Sequence, residues 1–123
     1  MTKRTARPGM RRPMPKVPEE MRQWSELIMA EALEWANTTA RPMFGMTALY
    51  RRAKIFAALP RTRAIGSRYS VAFKLPRKHE LSQLDARIIE DQPGAKWLTF
   101  ELGSSENIPE ALAWIRKAYD QAR

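Results

Sequence analysis

The sequence predicts an α+β domain of two layers: a four-stranded, mainly antiparallel sheet covered on one face by helices, in the order α-β-β-β-α-β-α. Three observations predict it. Apolar residues recur at steps of three and four near the start, between residues 78 and 91, and again at the end. Short alternating runs fill the middle, and their close spacing favours antiparallel neighbours over crossovers. The chain has 123 residues and a hydrophobic fraction of 44%, enough to bury one core but not two.

Residues 1–17 read as a disordered arm that is basic and Pro-rich, without apolar periodicity. The single domain is expected over residues 18–123. Pro18, Glu19 and Glu20 suit a helix N-terminus, because proline fits the first turn and carboxylates complement the dipole. Met21, Trp24, Leu27, Ile28, Ala32 and Trp35 then form an amphipathic stripe, so the first helix should run to about Asn37. Thr38 and Thr39 are weak helix formers, and Pro42 closes the segment. Over 43–50, alternation places Phe44, Met46, Ala48 and Tyr50 on one strand face and Gly45, Thr47 and Leu49 on the other. Arg51–Lys54 is a polar turn and Ile55–Leu59 a second strand, which makes a hairpin.

Pro60–Arg68 reads as a loop broken at Gly66–Ser67. Val71, Phe73 and Leu75 alternate with Ser70, Ala72 and Lys74 in a half-buried third strand that ends at Pro76. Leu81, Leu84 and Ile88 predict a helix from Lys78 to Asp91, broken at Pro93–Gly94. Trp97–Leu102 is a fourth strand, with Leu98, Phe100 and Leu102 on one face. Asn107, Pro109 and Glu110 have the spacing of a capping box. The last helix should bury Ile108, Leu112, Ile115 and Tyr119. Trp24, Trp35 and Trp114 sit at core spacings, whereas Trp97 alternates away from its apolar neighbours.

Composition excludes several chemistries. There is no cysteine and one histidine, so disulfides, thiol nucleophiles, Cys-based zinc sites and paired-His sites are ruled out. The five glycines stand at 9, 45, 66, 94 and 103, never at the spacing of a phosphate-cradling loop. His79 and Glu80, with Ser82 or Asp85 nearby, could make an acid–base couple, but they read as a solvated helix start. No catalytic residue, metal or cofactor is expected. Nothing approaches 18 uncharged apolar residues, and Pro8, Pro13, Pro15 and Pro18 break any transit-type helix in the arm. The expected location is the cytoplasm.

The segment Arg41-Pro42-Met43-Phe44-Gly45-Met46, then Leu49-Tyr50 and Ile55-Phe56-Ala57, resembles the opening hairpin of TfoX N-terminal-like domains. Phe73-Lys74-Leu75 fits that family's third strand. Trp97-Leu98-Thr99-Phe100 and the final helix are also similar to the tail of small YjbR-like proteins. The similarity covers roughly residues 20–122. It implies a two-layer α+β domain of bacterial regulatory type, associated with competence, and carries no catalytic set. The sequence departs from the pattern at Met46, where a second glycine is usual. It also lacks a turn glycine within Arg51–Lys54 and has a more basic loop over 60–69.

Charge is the strongest functional signal. There are 22 Lys+Arg against 13 Asp+Glu, a net charge of +9. By segment, the net charge is +6 over residues 1–16, −4 over 17–34, +10 over 35–79 and −3 over 80–123. Residues 35–79 contain no acid at all. On the predicted fold, basic charge collects on the sheet side and acidic charge on the helical layer. Arg51, Arg52, Lys54, Arg61, Arg63, Arg68 and Lys74 are therefore candidate polyanion-binding residues, with Tyr50, Tyr69 and Trp97 as stacking groups if exposed. No helix-turn-helix, RNA-recognition signature or zinc finger accompanies them. The same segregation suits a protein-interaction or regulatory module that binds a partner or itself. Gly45 marks a bulge, a bulky neighbour, or the close approach of a ligand or backbone.

Overall fold

The computed structural model describes residues 16–76, 88–90 and 96–123. In chain order they form α1 (Glu19–Ala32), β1 (Thr38–Met43), β2 (Met46–Arg51), β3 (Lys54–Pro60), β4 (Ser70–Lys74), β5 (Ile88–Glu90), β6 (Trp97–Glu101), a 3₁₀ turn (Ser105–Asn107) and α2 (Ile108–Gln121). One sheet runs in the order β1-β2-β3-β4-β6-β5, and every neighbouring pair is antiparallel. The α+β class and the antiparallel sheet agree with the sequence. The sheet has six strands instead of four.

Both extra strands contain β-branched residues, expected within a helix for one strand and just beyond a helix end for the other. α1 stops at Ala32 and its exit tightens into i→i−3 bonds, Glu34 N–H to Glu31 O and Trp35 N–H to Ala32 O. Asn37 then reverses the chain at φ +62°, a region asparagine tolerates. Thr38 and Thr39 therefore open β1, a role that suits their branched side chains. Ile88 and Ile89 sit in β5, paired with Phe100 and Thr99. The rest of the helix expected over 78–91, with His79, Glu80, Ser82 and Asp85, lies outside the described residues.

The strand expected over 43–50 is split by a turn. Phe44 and Gly45 have φ of +49° and +81°, and Met43 pairs with Met46 across them. Such a turn with both central residues left-handed matches the twist of the flanking strands. Phe44 consequently leaves the sheet face and stands at the tip.

The core lies between the sheet and the helices. Leu49, Ala57, Phe73 and Leu98 form one cross-strand row, and Val71, Phe100 and Ile88 another. Met21, Trp24, Ile28 and Ala32 of α1 and Ala111, Ile115, Ala118 and Tyr119 of α2 are buried in this layer. Ile108 and Leu112 pack against it half-buried, as do Trp35 and Trp114. Phe56 is an extra residue in β3: Leu49 pairs with Ala57 and Tyr50 with Ile55. This bulge turns the Phe56 ring inward, where its centroid lies 5.5 Å from that of Tyr119 and 6.3 Å from that of Trp35. The opposite sheet face carries the row Arg41, Ala48, Ala58, Ala72 and Thr99.

Residues 16 and 17, just ahead of the expected start at residue 18, already contact the fold. Lys16 forms an antiparallel bridge with Arg63, and Val17 is buried in the core cluster. An apolar side chain directly ahead of α1 is thus used for packing. The capping box also sits one turn ahead of its expected place. Ser104 Oγ accepts from Glu106 N–H, while Asn107 Oδ1 accepts from Ser104 N–H and Gly103 N–H. Asn107 Nδ2 donates onward to Glu110 at 2.7 Å.

Candidate functional site

The seven candidate cations fall into two groups at opposite ends of β3. That strand spans seven residues, or roughly 20 Å at the usual rise per residue. Arg51, Arg52, Lys54 and Lys74 gather at one end. Arg61, Arg63 and Arg68 lie on the loop that leaves the other.

In the first group, the two best-placed cations are already engaged. Arg51 NH1 donates to the Tyr119 carbonyl at 3.0 Å, and its guanidinium carbon lies 4.2 Å from the centroid of the Tyr119 ring. Lys54 Nζ donates to the Arg123 carbonyl. Cations at the last carbonyls of a helix complete its open acceptors and complement its dipole. Arg51 therefore closes α2 and Lys54 holds the residue just past its C-cap, so both belong to the helical layer, in contrast to the sheet-side placement expected from the sequence. Arg52 remains exposed at the β2–β3 turn with φ +58°.

Lys74 stays near this end. Pairing of β3 with β4 runs from Ala58↔Ala72 to Ala57↔Phe73. Beyond it, Lys54 and Ile55 on one side and Lys74 and Pro76 on the other border a cleft of about 570 Å³ floored by Ala118 and Gln121. A second cleft of about 360 Å³, lined by Arg51, Arg52, Lys54 and Arg123, adjoins the same turn.

The second group is organised by the β1–β2 turn. The Gly45 carbonyl accepts the backbone N–H groups of Arg61, Thr62 and Arg63 at 3.2, 2.8 and 3.2 Å, and the Thr62 hydroxyl at 3.4 Å. A Cβ at Gly45 would lie 2.8 Å from Arg63 Cγ and 2.9 Å from Thr62 Oγ1. The positive φ and the close approach of the Thr62 and Arg63 side chains are thus the reasons for this glycine, and the partner is the chain's own 61–63 segment. Ser70 Oγ secures the far side of the loop, accepting from Ser67 N–H at 3.2 Å and donating to the Ile65 carbonyl. Arg61, Arg63 and Arg68 are exposed, and none makes an ion pair with a described residue.

Beside them stands a residue that the sequence misplaced. Phe44 is 82% exposed, the most exposed large apolar side chain described. Next to it runs β1, which has no strand neighbour on its outer side among the described residues. Thr39, Arg41 and Pro42 are exposed along this strand. The Arg41 guanidinium lies 5.4 Å from the Tyr50 ring centroid, on the sheet face away from the helices. The glycine at 45 was the only sequence signal of this turn, since phenylalanine is an unusual residue at its first central position.

The outer row of Arg41, Ala48, Ala58, Ala72 and Thr99 carries no acid. Glu19, Glu20, Glu26 and Glu31 lie on α1, and Glu110 and Asp120 on α2. The helices also hold Arg22, Arg116 and Lys117, so segregation of charge between the layers is partial. Among the described residues no group of three or more His, Asp or Glu could hold a metal ion. No described helix is long and apolar enough to cross a membrane. No family model, curated protein or solved structure matches the chain.

Proposed function

We propose that this domain is a non-enzymatic protein-interaction module, of the regulatory kind that the TfoX N-terminal-like resemblance implies. Its contact surface is the outer side of β1 together with the Phe44 tip. The observation that carries this is the coincidence of an edge strand, which has no strand neighbour on its outer side among the described residues, with an aromatic ring that is 82% exposed. Edge strands present unpaired N–H and C=O groups, and a solvated aromatic beside them supplies an apolar anchor. Docking of the turn through the Gly45 carbonyl holds both on a rigid support.

A photo-crosslinking phenylalanine analogue placed at Phe44 in the full chain tests the proposal in extracts of the source cells. Discrete crosslinked species are expected there and not from the same analogue at Leu27, which is also exposed. Identical patterns from both positions, or none from Phe44, refute it.

A second reading, nonspecific binding of nucleic acid, is favoured by one observation. Arg61, Arg63 and Arg68 are exposed on a single loop without described carboxylate partners. It predicts binding to any single strand that weakens steeply with salt.

A further inference from the structure

The backbone of β1 limits what can add to it. A turn of two residues makes Met43 and Met46 a hydrogen-bonded pair, so bonded and non-bonded pairs alternate from there. The count reaches Asn37 opposite Arg52 as a bonded pair, and Arg52 N–H does donate to the Asn37 carbonyl at 2.8 Å. The residues whose backbone groups point away from β2 are therefore Thr38, Ala40 and Pro42. Proline has no N–H to offer, and its place on the outer side of an edge is where that lack costs least. The outer edge thus presents the N–H and C=O of Thr38 and Ala40 and the C=O of Pro42.

Arg41 is the charged side chain of this edge, and further cations stand at the tip of its turn. Arg41 projects from the sheet face away from the helices, beside Tyr50. At the tip the Arg63 stem crosses Gly45, and Arg61 is exposed beside it. Lys16 pairs with Arg63 through its backbone and is also exposed. A second copy of this chain fits poorly. Antiparallel self-pairing would place Arg41 of both copies on one face within a few residues, between two chains that each carry +9.

We infer that the occupant of this edge is an extended acidic segment of a partner protein, which adds a strand beside β1. Its carboxylates alternate onto the face of Arg41, and one end lies against Phe44 and Arg63. The inference rests on the reading of β1 as the contact edge and names the chemistry of what binds there.

The test uses the ¹⁵N-labelled full chain and two synthetic peptides, acetyl-(Glu-Val)₄-amide and acetyl-(Lys-Val)₄-amide, with oligo-dT as a third probe. The Glu peptide is expected to shift the amides of residues 38–45 saturably. The Lys peptide should bind at least about five-fold more weakly at low salt, the scale of one exposed ion pair. Arg41→Gln should bring the two peptides closer together, and Arg41→Glu should reverse their order; both changes are on an exposed strand position that the fold tolerates. Equal affinities for the two peptides overturn the acidic inference while leaving the edge reading intact. Shifts confined to other residues, or none, overturn both. Tighter oligo-dT binding at residues 38–45 overturns it in favour of nucleic acid. A dimer whose β1 amides are protected from exchange without peptide overturns it in favour of self-pairing.

Discussion

Replacing Gly45 with alanine probes the junction that supports the whole tip. Gly45 has φ +81°, and holding an L-residue in that region costs roughly 1–2 kcal/mol. The new methyl would also lie 2.8 Å from Arg63 Cγ and 2.9 Å from Thr62 Oγ1. The Arg63 stem can swing, but the backbone on either side cannot move without stretching the N–H bonds to the Gly45 carbonyl. Weakening one or two of these adds about 0.5–1.5 kcal/mol each. The expected loss is therefore about 1.5–5 kcal/mol. Gly66→Ala is the control. Its φ is +68°, yet its nearest neighbour would be Ser70 Oγ at 3.5 Å, so only the backbone cost of about 1–2 kcal/mol applies. Urea unfolding of the native chain and both variants, at unchanged m, measures the difference. Equal destabilisation, or a larger effect at Gly66, would show that the turn is not seated on residues 61–63.

Four further outcomes are expected. Arg51→Gln should lower stability by about 1–2 kcal/mol through loss of the Tyr119 contacts and leave oligonucleotide affinity unchanged; a fall in affinity without loss of stability contradicts its assignment to α2. If the nucleic-acid reading holds, combining Arg61→Gln, Arg63→Gln and Arg68→Gln should reduce the salt slope of oligo-dT binding by about 2, and an unchanged slope removes that loop as the contact. Ser25→Ala should be neutral or stabilising by up to about 1 kcal/mol, because its buried hydroxyl has no partner among the described residues and alanine favours the helix; thermal melts that show a loss would contradict this. Tyr119→Phe should cost about 1 kcal/mol in chemical denaturation, since the hydroxyl donates to the Ala36 carbonyl at 2.7 Å, and no change would mean that this carbonyl is served by water.

Periodicity made most of the packed elements legible. The stripe of Met21, Trp24 and Ile28 marks α1, the alternation of Val71 and Phe73 marks β4, and Leu98 with Phe100 marks β6. These residues face one environment along their whole length, so their spacing reports it. The missed pieces are those where the local signal serves two structures. Ile88 continues the helical spacing of Leu81 and Leu84, but its actual partner is Phe100 on β6. Phe44 fits the alternation of a strand until Gly45 takes a positive φ. The candidate site was less legible for a related reason. Sequence places Arg51, Arg52, Lys54, Arg61 and Arg63 within a short stretch, while the length of β3 carries them to opposite ends of the sheet.

Face, unlike position, depends on counting, and a single residue upsets the count. Strict alternation from Ala57 would put Phe56 on the outer face, Ile55 inside and Lys54 outside with Lys74. The pairings Leu49↔Ala57 and Tyr50↔Ile55 skip Phe56, so Phe56 joins Ala57 inside and every residue before it changes face. A buried phenylalanine is worth about 1.5–3 kcal/mol, and Phe56 gains ring contacts with Trp35 and Tyr119 as well. That gain favours the bulge over a regular ladder. Lys54 is carried to the face of Arg51, where both meet the carbonyl end of α2. The basic sheet face that composition suggested is dismantled by the same step that completes the core. What stays available for binding is the end of the sheet that the bulge does not reach, where exposed Arg61 and Arg63 dock on the turn that carries the exposed Phe44.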